Sequence, residues 1–267
     1  HFEEDRLFAV DKPRVIRSMT SPISVPDEVG DSPYYAMHWS PDGQYLAAMK
    51  LMEYNLSQID ILDTKGEIAH SAKGHLLPDD RKGWSPDGRY LTYVAWSDTF
   101  EIESIFVLDM RSFEIVYETP SPYVDILGWS PDGANLLLQR DMLLDQDVAS
   151  LSVSVVWIED EEDRRGFSID YSTDKGIHFR FIGCSDDSQQ LYFLVDGVLT
   201  EYDVRSGRLL EIRELPISSK ITYATVLGQQ VIIVSDTGTM IAVDKVSREV
   251  KIHESIIGKF STIAWIP

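Results

Sequence analysis

Six histidines, His1, His38, His70, His75, His178 and His253, are the chain's supply of imidazole for acid–base work or metal binding. A shared metal site would need several of them at one recurring place. Only His38 and His178 fall in or beside predicted innermost strands, and they occupy different positions there. Ser40, Ser85 and Ser130 recur at equal spacing, but proline follows each and no histidine recurs with them, so they read as turn residues rather than nucleophiles. The Gly-x-Ser-x-Gly elbow of a serine hydrolase does not occur. Cys184 is the only cysteine, which leaves neither an internal disulfide nor a zinc-binding set. The acidic run Glu159-Asp160-Glu161-Glu162-Asp163 lacks the alternating ligands and glycine of a calcium loop and reads as a solvated hairpin tip. No metal and no cofactor is expected.

What must position any functional side chain is an internal repeat. His38-Trp39-Ser40-Pro41-Asp42-Gly43 returns as Gly83-Trp84-Ser85-Pro86-Asp87-Gly88 and as Gly128-Trp129-Ser130-Pro131-Asp132-Gly133, with the tryptophans 45 residues apart each time. A weaker copy follows at Gly183-Cys184-Ser185-Asp186-Asp187-Ser188. Tyr223-Ala224-Thr225 is a worn fifth, and Ile263-Ala264-Trp265-Ile266-Pro267 a sixth start. Proline suits the first central position of a type I turn, and glycine accepts the positive φ at its end. An apolar strand follows each turn, as in Tyr45-Leu46-Ala47-Ala48-Met49. Next comes a strand ending in aspartate (Asp63, Asp109, Asp203, Asp244), and a fourth strand such as Phe113–Glu118 or Leu209–Glu214 closes the unit.

Four short antiparallel strands per 40–45 residues is the signature of a propeller blade. The fold expected is all-β, a β-propeller of six four-stranded blades in a single domain over 1–267. Expected blades are 34–78, 79–122, 123–176, 177–218 and 219–259, with a shared blade from 260–267 plus 1–20. In that last blade, Leu7–Asp11 and Val15–Met19 match third and fourth strands, so the N-terminal strands would pair with the C-terminal one and close the ring. Seven blades, or a fragment of a longer propeller, is the alternative.

The repeat also aligns candidate contact residues. Four positions before each anchor stand Tyr35, Asp80, Asp125, Arg180, Lys220 and Ser261, at the starts of the innermost strands, where a channel mouth would lie. Two acids and two bases there suit a polar ligand or a peptide end; the alternative is that they pair with one another. The anchors Trp39, Trp84, Trp129 and Trp265 read as packing between blades, and Cys184 as a buried residue in their place. Tyr54, Trp96 and Phe100 fall outside that register, on loops after second strands at the same edge, and are candidate surface contacts.

The three Trp-Ser-Pro-Asp-Gly copies resemble the repeats of TolB-like propellers and, in style, those of WD-repeat propellers, although the Trp-Asp pair is missing. The resemblance covers nearly the whole chain. It implies a function among those such propellers serve: periplasmic protein-binding scaffolds, domains that gate prolyl oligopeptidase-like peptidases, and a minority of lyases with metal in the channel. An extracytoplasmic location is the slight preference it implies.

Charge narrows the partners. The net charge of −20, from 44 acidic and 24 basic side chains, disfavours nucleic acid and anionic membrane surfaces. No apolar run approaches the ~20 residues of a membrane span, and the first residues lack the basic start and apolar stretch of a signal peptide. The expectation is a non-catalytic binding scaffold for a protein, peptide or glycan partner. An enzyme with a metal-assisted or polar site in the channel, a lyase or hydrolase, is the alternative.

Overall fold

The computed structural model describes residues 8–11, 15–18, 34–52, 57–77, 80–121, 124–145, 147–159, 164–172, 176–216 and 220–253. A hairpin, β1 (Phe8–Asp11) and β2 (Val15–Ser18), comes first. Five four-stranded antiparallel sheets follow in chain order. The first holds β3 (Tyr34–Trp39), β4 (Tyr45–Leu51), β5 (Ser57–Asp63) and β6 (Ile68–Lys73). The second holds β7 (His75–Leu76), β8 (Tyr90–Ser97), β9 (Ile102–Asp109) and β10 (Glu114–Pro120), with a helical turn α1 (Asp80–Gly83) between β7 and β8. The third holds β11 (Val124–Trp129), β12 (Asn135–Asp145), β13 (Val148–Trp157) and β14 (Arg164–Ser172). The fourth holds β15 (Phe179–Cys184), β16 (Gln190–Val195), β17 (Val198–Asp203) and β18 (Arg208–Glu214). The fifth holds β19 (Ile221–Leu227), β20 (Gln230–Ser235), β21 (Met240–Asp244) and β22 (Val250–His253). The strand expected to close a sixth blade, 260–267, lies outside the described residues. No helix among the described residues is long and apolar enough to cross a membrane.

The turn motif explains why each sheet starts where it does. Ser40 Oγ donates to Asp42 Oδ1 at 2.6 Å and accepts from the Tyr45 amide at 2.9 Å, while the Gly43 amide donates to the Ser40 carbonyl at 2.8 Å. Ser85, Asp87 and Tyr90 repeat the pattern at 2.6 and 2.9 Å. Gly43, Gly88 and Gly133 sit at φ of 70°, 75° and 74°, where a side chain is strained. The serines thus have a structural role, as their spacing suggests. The strand-ending aspartates act at the same edge, in the turn after the third strand, where Asp63 pairs with Tyr45. Asp63, Asp109, Asp203 and Asp244 each accept amide hydrogen bonds from the turn that follows; the Ser206 hydroxyl and amide hold the Asp203 carboxyl below the usual range, as the Ser247 amide and hydroxyl hold that of Asp244.

Burial is graded across each sheet. Middle strands are covered on both faces and read as apolar runs rather than alternations; Leu46, Ala47, Ala48 and Met49 of β4 are all buried. Outer strands such as β18 stay exposed along most of their length, which is why they carry charge. Two compact units emerge, one of 1–129, 133–136 and 157–161, the other of 130–132, 137–156 and 162–267. In the first, Ala47, Ile59 and Ile61 pack with Trp84, Leu91 and Leu108. In the second, Tyr192, Leu194 and Leu199 pack with Val231, Ile233 and Val243. Each fully buried aliphatic side chain contributes about 1.5–3 kcal/mol.

Two of the anchors, Trp84 and Trp129, lie between sheets. Trp84 is buried and its Nε1–H donates to the His38 carbonyl at 3.1 Å. Trp129 stacks on Tyr90 at 5.6 Å between ring centroids. Trp39 is only partly buried, and Trp265 lies outside the described residues. Cys184 is partly rather than fully buried; burial pushes its thiol up to about 12, so it is no thiolate at neutral pH.

Candidate functional site

In an antiparallel blade, first-strand starts, second-strand ends and third-strand starts share one edge. At that edge of the first two sheets, within the first compact unit, the chain leaves a groove of about 630 Å³. One wall comes from the first sheet: Met52, Ser57, Gln58 and Lys73. The other comes from the second: His75, Ala95, Trp96, Asp98 and Glu103. Gly74 lies between them. Its amide donates to the Ser57 carbonyl at 3.0 Å, and a Cβ there would stand 2.6 Å from the Val94 carbonyl oxygen, so only glycine lets the two sheets approach this closely.

Trp96 is 67% exposed and is the cross-strand partner of Glu103. Its loop is held in shape: Ser97 Oγ donates to Glu118 and accepts from the amides of Thr99 and Phe100, both at 3.1 Å. Glu101 completes the turn at a φ of 52°. Phe100 is exposed on the same loop, whereas Tyr54 lies outside the described residues. Trp96 thus lies near the end of β8 rather than on the loop expected after it, and a large aromatic ring presented to solvent from a paired strand is the kind of group that anchors interfaces.

Beneath the first wall lies a polar cluster that no repeat position suggests. Asp60 is fully buried in the middle of β5, with Lys50 Nζ 2.6 Å away. Tyr34 Oη (2.7 Å), Gln58 Nε2 (2.6 Å) and Ser71 Oγ (2.6 Å) also donate to its carboxylate. The five residues come from all four strands of the sheet, and Gln58 also lines the groove. Burial opposes ionisation of Asp60, but the hydrogen bonds from Lys50, Ser71, Tyr34 and Gln58 outweigh it and hold the carboxyl below its usual range. Burial first, and then the Asp60 carboxylate, drive the Tyr34 hydroxyl well above the usual phenol value.

The aligned strand-start residues are placed differently from one another. Asp125 is exposed on β11 and pairs with Lys82 at 3.6 Å; both line a second cavity of about 460 Å³ together with Glu103 and Ser121. Asp80 opens α1, because the second sheet has a helical turn where the repeat calls for an apolar strand. Tyr35 sits within β3, at the point where its pairing with β4 shifts register. Arg180 on β15 donates to the Ile221 carbonyl at 2.7 Å, and burial lowers its pKa. Lys220 is exposed just before β19. The pairing register shows that Val226, opposite Val231, occupies the anchor place held by Cys184 opposite Leu191. The true counterpart in the fifth sheet is therefore Thr222, whose hydroxyl bonds the Val234 carbonyl at 3.1 Å; the turn there is shorter by two residues. Ser261 lies outside the described residues. Among the described residues, no group of three His, Cys, Asp or Glu side chains could hold a metal.

No protein-family description and no curated protein sequence matches the chain. Solved structures do. Prolyl oligopeptidase B from Galerina marginata is 13% identical with a TM-score of 0.57, over 90% of this chain and 38% of that one. The β-propeller domain of the Trilobed protease from Pyrococcus furiosus is 17% identical, TM-score 0.49, over 82% and 70%. TolB from Acinetobacter baumannii is 15% identical, TM-score 0.44, over 85% and 56%. The chain thus spans little more than a third of the oligopeptidase. With five consecutive four-stranded antiparallel sheets, and a likeness to the oligopeptidase at a TM-score of 0.57, the chain has the β-propeller fold, in repeats that resemble the TolB-like kind.

Proposed function

We propose that this chain is a binding scaffold that holds a protein or peptide partner at the strand-start edge of its blades, a glycan being the less suited occupant of a groove walled by one indole and several charges. The observation that carries the reading is the groove beneath Trp96: an exposed indole near the end of β8, next to a braced turn and beside a cleft fixed by Gly74. Rigid aromatic groups bind at low entropic cost because little is left to order. The other strand-start residues, Tyr35, Asp80, Asp125, Arg180, Lys220 and Ser261, belong to the same proposed surface.

The test is site-specific photo-crosslinking. A benzophenone side chain at Phe100 should trap a discrete partner from the source cell, and Trp96→Ala should abolish that adduct. The same probe at Val246, which is also exposed, should trap nothing specific. Equal adducts from both sites, or an adduct indifferent to Trp96, would sink the proposal. Within the wider surface, Asp80→Asn and Arg180→Ala should each weaken capture, and unchanged capture removes those two residues from it.

A further inference from the structure

The two walls of the groove differ in charge, and that difference points to what sits in it. Trp96 has nothing stacked on it among the described residues. On its own wall stand two carboxylates, Asp98 in the hairpin turn and Glu103 directly across the strand pair. Among the described residues, Lys73 is the only lysine or arginine lining the cleft, and it comes from the first sheet, as does the apolar Met52. His75 also lines it. An indole face attracts cations, and nearby carboxylates strengthen that attraction and orient a guanidinium or ammonium above the ring. The chain's net charge of −20 adds a long-range pull on basic partners.

We infer that the groove is a cation-recognition site: it takes an arginine or lysine side chain of a partner peptide, laid over Trp96 and paired with Asp98 and Glu103. This rests on the binding-scaffold reading and names its partner. Met52 and Ala95 would cover the aliphatic stem of such a side chain, while Ser57 and Gln58 offer polar atoms to the peptide backbone. Lys73 takes no part in holding the cation and works against it. An acidic peptide is disfavoured by Asp98 and Glu103 together.

The experiment is an NMR titration of the ¹⁵N-labelled chain, following the Trp96 indole N–H, assigned by its loss in Trp96→Phe. The probes are short alanine–serine peptides whose central residue is arginine, lysine, citrulline, leucine or glutamate. Citrulline has nearly the shape of arginine without its charge. The arginine and lysine peptides should saturate the shift at concentrations about five-fold or more below citrulline. Asp98→Asn with Glu103→Gln should erase that preference, and Lys73→Ala should keep or enlarge it. If citrulline and leucine titrate like arginine, the groove binds peptides but recognises no cation, and the inference alone falls. A preference that survives Asp98→Asn with Glu103→Gln overturns it as well. If no peptide moves the indole resonance, the inference and the scaffold reading at this groove fall together.

Discussion

The first and fifth sheets share strand order and central register, yet they are held in different ways. Tyr45 pairs with Asp63 in the first as Gln230 pairs with Asp244 in the fifth. Counting along from these pairs, Asp60 falls where the fifth sheet has Ile241, and Lys50 where it has Ser235. In the fifth sheet those places hold a buried isoleucine and a serine that closes a tight turn, with the Gly238 amide bonded to its carbonyl at 3.1 Å and the Thr239 amide to its hydroxyl at 3.2 Å. In the first sheet, the strands are tied by a buried carboxylate with four side-chain donors. The lesson is that the same blade architecture can be held by apolar packing and a tight turn, or braced from within by a buried charge and its donors.

The sharpest way to break the contrast is to remove Asp60. Asp60→Ala strands the buried Lys50 ammonium and should cost about 3–5 kcal/mol in urea unfolding. The paired change Asp60→Ile with Lys50→Met, which makes the first sheet resemble the fifth, should recover most of that loss. Acid probes the same group. Because the folded carboxyl is depressed, its contribution is fully present above the ordinary carboxylate range near about pH 4 and drains away as pH falls through the lower folded value. A wild-type urea midpoint that falls more steeply there than that of the paired variant is the expected result; parallel curves would show that Asp60 titrates alike folded and unfolded.

A second, smaller effect concerns the groove. Gly74→Ala must push its methyl against the Val94 carbonyl and should cost about 2–3 kcal/mol. The same change should broaden the Trp96 indole resonance, which ties the strain to the cleft rather than to the fold at large.

The smallest sharpens the comparison between good and worn turn motifs. Ser188 stands where the first three repeats have glycine, at a φ of 59°, and its hydroxyl accepts from the Asp132 amide at 3.2 Å. Ser188→Gly relieves about 1 kcal/mol of strain and loses a bond of about the same worth, so stability should move by less than about 1 kcal/mol. The reverse change, Gly88→Ser, sets a side chain against the Asp42 carboxylate and should be clearly destabilising by the same urea assay.

Much of the fold is legible in the sequence because the turn motif has a local cause. Serine, aspartate and glycine satisfy the turn among themselves, so the motif marks a sheet wherever it occurs, and even Ser185 and Asp187 keep their bond where tryptophan, proline and glycine have been lost. The fifth anchor is misread by two residues, as Ala224 for Val226, because the hairpin at Gly228 and Gln229 dispenses with the motif and only strand pairing reveals the register. The strand that leads toward Trp84 is short, His75–Leu76, and the helical turn Asp80–Gly83 stands where the repeat calls for its continuation. The Asp60 cluster stays hidden for a related reason: a lone charge on each of two strands looks solvated until pairing brings them together. Trp96 and Phe100 were visible as aromatics out of register; the glycine floor and acidic wall that give them meaning were not.

The turn motifs also join one repeat to the next. The Asp42 carboxylate lies against Gly88, and that of Asp87 against Gly133, so the first and second repeats each set an aspartate against the glycine of the repeat ahead. Both halves of these two joints are therefore encoded one period apart. Removing a whole period brings the aspartate of one copy to the glycine of another and leaves a matched joint. Removing part of a period leaves a carboxylate without its seat. The chain's unit of growth and loss is thus the full repeat, and its length can change by whole blades more readily than by a few residues.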